Sequence, residues 1–163
     1  MTGCGYTLVG RASNLPADIQ QVYIEPLENR TSRSQVEQLL TQAITDELVT
    51  RQRFTVLNSR AGADAEIRGA VVGYAATPVT FDQNTGRAQE YEISLIVQVI
   101  FQRIPETEDE EPEVIWRNDR YQFRESYPVE AGNEAYFDRE DQTIEEVSRR
   151  LAETMVSDLL EGF

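Results

Sequence analysis

Residues able to do covalent chemistry are scarce in this chain, and the clearest stands at its start. Thr2-Gly3-Cys4-Gly5-Tyr6 holds the single cysteine of 163 residues, and there is no histidine. One thiol cannot form an intrachain disulfide, and no second Cys or His exists to share a metal with it. A small pair ahead of a Cys matches a bacterial lipobox, whose thiol is diacylated before the signal peptide is cleaved and the new amino group acylated. Cys4 is then the lipidation site and first mature residue, and residues 1–3 are a signal-peptide remnant or added residues. Three acyl chains, at about 0.8 kcal/mol per buried CH₂, make such an anchor effectively permanent.

Catalysis finds little support. Without His, and with its one Cys at the lipobox, the chain lacks the usual nucleophile–base pairs and His-containing zinc sites. Glu108-Asp109-Glu110-Glu111 lacks the spacing and glycine of an EF-hand and reads as a solvated run. A carboxylate hydrolase acting on envelope glycans would need two acids about 5–10 Å apart in a cleft; the candidates are Asp64 and Glu66 with Glu90 and Glu92. Gly69-x-x-x-Gly73 lies in a strand pattern and is neither a P-loop nor a dinucleotide fingerprint. Tyr74, Tyr91, Trp116 and Tyr121 could line a lipid or sugar groove, but strand periodicity favours core or cross-strand pairs. The expectation is no catalytic residue, no metal and no cofactor.

Charge narrows the partners. Acidic residues number 29 against 15 basic, all of them Arg, for a net charge of −14. That argues against nucleic acid, which needs clustered cations, and against docking on an anionic membrane through a basic patch. No apolar run reaches the roughly 18 residues of a membrane span, so attachment to a membrane is expected through the lipid.

The elements that position these residues follow from periodicity. Gln21–Leu27 is β-rich, and Pro26 closes it or places it at an edge. Glu28–Ser32 reads as a polar turn, and Ser34-x-x-Glu37 as a capping box. Val36, Leu39, Leu40, Ala43, Ile44 and Leu48 then form a helical stripe ending near Arg51. Phe54–Leu57 is a short strand. A long strand runs from Asp64 to Thr80, where Gly69 and Gly73 suggest bulges or close backbone approach. A turn at Asp82–Gly86 leads into Gln89–Ile104, whose alternation puts Tyr91, Ile93, Leu95, Val97, Val99 and Phe101 on one face. That is a central antiparallel strand with a drier and a wetter side. An acidic loop over 106–113 and a strand over Glu113–Tyr127 follow. After a loop at Ala131–Asn133, a helix runs from Asp138 or Asp141 to Leu160, stopped by Gly162, with acids crowded at its N-terminal end. The sum is one α+β domain over 4–163: two layers, with two amphipathic helices on one face of a mostly antiparallel four-stranded sheet.

Several stretches resemble the lipopolysaccharide-assembly lipoprotein family, LptE. They are Cys4-Gly5-Tyr6-Thr7-Leu8-Val9-Gly10, Leu15-Pro16, Val22 to Thr31, Leu40 to Ala43, Ala63 to Gly69, Gly86 to Ile93, and Leu151-Ala152-Glu153. Each is short and degenerate; their order along nearly the whole chain carries the resemblance.

The resemblance implies two helices on a four-stranded sheet and a non-enzymatic lipoprotein anchored in the outer membrane. Its domain would lie on the periplasmic side or inside the lumen of an LptD-type β-barrel translocon, which it plugs and helps assemble. It further implies lipopolysaccharide as a candidate ligand, with basic residues in two places. Here Arg87 stands beside the turn before the Ala-Gln-Glu-Tyr strand, and Arg139 beside the final helix. Gly5 is compatible with outer-membrane sorting. The Val-Tyr-Ile-Glu-Pro-Leu-Glu-Asn-Arg-Thr segment also resembles lipoproteins that activate peptidoglycan synthases or build secretion pores, which keeps a synthase activator or pore subunit as the alternative.

Overall fold

The computed structural model of the protein describes residues 15–129 and 135–162. In β1 (Gln21–Ile24), Val22 and Ile24 alternate with polar neighbours and turn into the core. Pro26, lacking an N–H, closes the strand, and the next amide, Leu27, donates to Thr41 Oγ1 of the following helix at 3.1 Å. Pairing then resumes as β2 (Glu28–Asn29) where a polar turn was expected, because Arg30 N–H reaches Val71 O at 2.9 Å.

The helix α1 (Val36–Arg51) covers the predicted stripe and buries Val36, Leu40, Ile44 and Leu48. Its start differs from the expected capping box. The residue at the cap is Gln35, left-handed at φ 71°, and no side chain caps the helix. Glu37 is engaged elsewhere: Asn29 Nδ2 donates to its carboxylate at 2.7 Å and to Arg33 O at 2.7 Å. An Asx-type turn thus sets the approach to the helix, and the Ser34 hydroxyl makes no capping bond.

The sheet is completed by β3 (Thr55–Leu57), β4 (Ala65–Phe81), β5 (Ala88–Arg103) and β6 (Val114–Pro128). Its order is β3-β1-β4-β5-β6, with β2 also paired to β4. The α+β class with two helices holds, but the sheet expected to be mostly antiparallel and four-stranded is mixed and has six strands. The crossover through α1 lays β3 parallel to β1, and β1 and β2 run parallel to β4; only β4-β5-β6 is antiparallel. The short strand expected at Phe54–Leu57 is present as β3, whereas β2, two residues long, is too short to show an alternation and reads as a turn.

The long strands keep the predicted alternation. Ile93, Leu95, Val97, Val99 and Phe101 are all buried. They join Ile67, Val71 and Trp116 and the inner faces of α1 and α2 (Ala135–Glu161) in one core cluster. Helix α2 starts at Ala135, earlier than Asp138 or Asp141. Glu145 and Glu146 therefore lie beyond the first turn, where the macrodipole no longer favours them. Gly162, at φ 79°, stops the helix with its N–H on Asp158 O at 2.9 Å. Two tyrosines fasten α2 to the sheet: Tyr74 donates to Glu140 and Tyr121 to Asp158. The expected loop at Ala131–Asn133 lies outside the described residues.

Both glycine expectations hold. A Cβ on Gly69 would sit 2.2 Å from Gln98 O, so the backbones of β4 and β5 meet there as only glycine permits. Between Val71 and Gly73 the β4–β5 register shifts, placing a bulge beside Gly73.

Candidate functional site

Arg87 and Arg139 are brought to the same end of the sheet. Arg87 is exposed, just past the turn joining β4 to β5. That turn is held by its own acid: Asp82 Oδ1 accepts from the N–H groups of Asn84 and Thr85 at 2.9 and 2.7 Å, and Gly86 supplies φ 67°. These backbone N–H groups hold the Asp82 carboxyl below its ordinary range, so the acid serves the turn. Pro78, Val79 and Phe81 lead into it, and Val79 and Phe81 are exposed. Three residues after Arg87, Glu90 pairs with Pro128, whose carbonyl accepts from Arg139 Nη1 at 3.2 Å. Arg139 borders a shallow groove of about 370 Å³, which Tyr127, Gln142 and Glu146 also line. Cys4 lies outside the described residues.

The hydrolase candidates do not meet. Glu66 pairs across the sheet with Gln102, and Glu92 with Thr77. Ten residues of β5 separate Gln102 from Glu92, roughly 33 Å of extended strand. Glu66 is buried, with Arg60 Nε donating at 2.7 Å and Gln102 Nε2 at 2.9 Å. Burial works to raise its carboxyl, but these hydrogen bonds outweigh it and hold the group below its ordinary range. Asp64 accepts from Gln21 and Gln20 N–H, which lowers its carboxyl as well. Both acids hold loops in place. Tyr91 and Tyr127 pair across strands as expected, their rings 6.0 Å apart, whereas Trp116 and Tyr121 meet along β6 itself, 6.4 Å apart.

One feature escaped sequence reasoning. On the face of the sheet opposite the helices, a groove of about 350 Å³ has Gln98, Ile100 and Gln102 among its lining residues. Arg30, Arg68 and Arg117 stand around it, each bound to an acid: Glu28 at 2.8 Å, Glu25, and Asp119 at 2.5 Å. The alternation marked this side of β5 as the wetter one. The three arginines come from distant segments, and only the strand pairing gathers them.

Among the described residues the candidate carboxylates are scattered and the grooves lie at the surface. A model of the LptE family, described as Lipopolysaccharide-assembly, matches residues 19–159. The chain belongs to that non-enzymatic family of lipopolysaccharide-assembly lipoproteins, and membership fits an outer-membrane lipoprotein. No curated protein matches the sequence. Solved structures share the fold at low identity. The hypothetical protein CT253 from Chlamydia trachomatis is 13% identical, with TM-score 0.57 over 89% of this chain and 97% of that one. Rare lipoprotein B from Shewanella oneidensis is 13% identical, with TM-score 0.55 over 86% and 93%. A PelC dodecamer from Paraburkholderia phytofirmans is 15% identical, with TM-score 0.52 over 87% and 90%.

Proposed function

We propose that this protein is a lipid-anchored partner of an LptD-type outer-membrane β-barrel, supporting assembly of lipopolysaccharide at the outer membrane. The observation that carries this is the family match over 19–159. Acyl chains on Cys4 hold it at the membrane, and the folded domain works on the periplasmic side or within the barrel lumen. Here the protein plugs and scaffolds; it transforms no substrate. Arg87 and Arg139, at one end of the sheet, are the candidate contacts for lipid A phosphates through charge-assisted hydrogen bonds. Beside them stand the exposed apolar residues Val79 and Phe81, suited to acyl chains.

Depletion of the protein in its own cells tests the reading. Lipopolysaccharide at the cell surface should fall, and the barrel should lose its folded, heat-modifiable form; unchanged levels of both would contradict it. The anchor is tested separately with Cys4→Ala, which should abolish fatty-acid labelling and release the chain from the membrane fraction. A secretion-pore subunit, the alternative raised by the Val22 to Thr31 segment, would instead run as a ring of many copies on size exclusion without a barrel partner.

A further inference from the structure

Net charge is unevenly distributed over this molecule. Helices α1 and α2 together hold eleven acids and four arginines, and segment 104–113 holds six acids and no base. The rest of the chain, sheet included, has twelve acids and eleven arginines. Nearly all of the −14 therefore sits on the helix layer and the acidic loop, leaving the sheet close to neutral.

The helix-free face of β4, β5 and β6 has the character of an interface. Arg68, Ile100 and Arg117 stand side by side across the three strands, and Gly73, Ile96 and Gln122 do so further along. Ile96 and Ile100 are half-buried and isolated from each other by amides and ion pairs, so the face mixes small apolar islands with polar groups. Three strands at about 4.8 Å spacing and fifteen residues at about 3.3 Å give roughly 700 Å² of sheet surface. A stable protein interface takes about 800 Å² from each partner. Exposed guanidinium–carboxylate pairs contribute little to folding, and they can exchange with partner groups at small cost.

We infer that the helix-free sheet face, centred on Arg68, Ile100 and Arg117, is the surface that docks against a neutral, polar protein wall carrying its own mixed charges. The lumen side of a β-barrel has that chemistry, being polar where the outer face is apolar. The acidic helix layer then faces away from the wall. This rests on the proposed barrel partnership and specifies which side of the domain makes it.

A photo-crosslinking residue, p-benzoylphenylalanine, placed at Ser94 or Gln122 samples the sheet face; at Gln38 or Gln42 it samples the exposed side of α1. In the full-length lipoprotein in its own membranes, irradiation should give a barrel-sized adduct from Ser94 and Gln122, at least tenfold above that from Gln38 and Gln42. Arg68→Glu with Arg117→Glu should cut the co-purified barrel at least tenfold with circular dichroism unchanged, whereas Arg149→Glu with Arg150→Glu on α2 should not. Adducts mainly from the helix positions, equal adducts from both faces, none from either, or sheet-face adducts with lipopolysaccharide alone each overturn the inference. If the barrel co-purifies and the adducts come from the helices, the partnership stands and the docking face is wrong; if no barrel co-purifies with the unsubstituted protein, both fall.

Discussion

Glu66 shows what a buried carboxylate does when it has no catalytic work. Its side chain is only 2% exposed, and Arg60 and Gln102 satisfy it. Because its folded pKa lies below the unfolded value, the stability it adds is present above the unfolded carboxylate range of about 4 and is lost as pH falls through the folded value. Asp64 acts in the same sense through the Gln20 and Gln21 amides. Urea midpoints should therefore fall as pH is lowered from about 6 to 3, and Glu66→Gln should flatten that slope; an unchanged slope would remove Glu66 from the account. At Gly69 the prediction concerns space. A Cβ 2.2 Å from Gln98 O forces β4 and β5 apart, so Gly69→Ala should cost on the order of 1–3 kcal/mol in urea unfolding. The sequence suggested close approach at Gly69, but nothing in it pointed to Arg60 as the partner of Glu66, because the loop carrying Arg60 reaches Glu66 only once the chain is folded.

Element by element, periodicity was a good guide wherever an element was long. The α1 stripe and the alternation from Ile93 to Phe101 emerged as expected, since 3.6- and 2-residue periods need several repeats to be recognised. The two-residue β2 failed that test, since it is fixed by parallel pairing to β4, while β3 was legible as the short run Phe54–Leu57. The start of α1 was misread as well: Asn29 takes up Glu37 and the Arg33 carbonyl, and no side chain caps the helix where Ser34 was expected to. Ser34→Ala should then change stability by less than about 0.5 kcal/mol, while Asn29→Ala should cost about 1–2 kcal/mol. The reverse ranking in chemical denaturation would restore the capping box. Helix α2 depends on its sheet contacts, among them the Tyr121–Asp158 hydrogen bond. Burial first, then that bond, raise the Tyr121 phenol above its ordinary value. The bond is intact below pH about 10, the unfolded value, and its stability is lost as pH rises beyond it. Tyr121→Phe should cost about 1 kcal/mol at neutral pH and lessen the alkaline loss; hydrogen exchange should show faster opening of the α2 C-terminal turns.

For the whole molecule, the acidic helix layer and the near-neutral sheet face give the domain two sides of different charge; the lipid anchor and the partner belong to the proposal. Family membership was legible in the order of short segments along the chain. The distribution of charge was not, because an arginine count says nothing of which side of the sheet its members occupy. The end bearing Arg87 and Arg139 emerged only partly: both residues were picked from sequence, while their shared location depends on the pairing of Glu90 with Pro128. The central claim is the partnership with an outer-membrane barrel. Its most direct test is affinity purification of the full-length lipoprotein from its own membranes in mild detergent, with partners quantified by mass spectrometry. A large β-barrel at equal stoichiometry is the predicted result; recovery of the lipoprotein alone, or with a periplasmic synthase in place of the barrel, would contradict it.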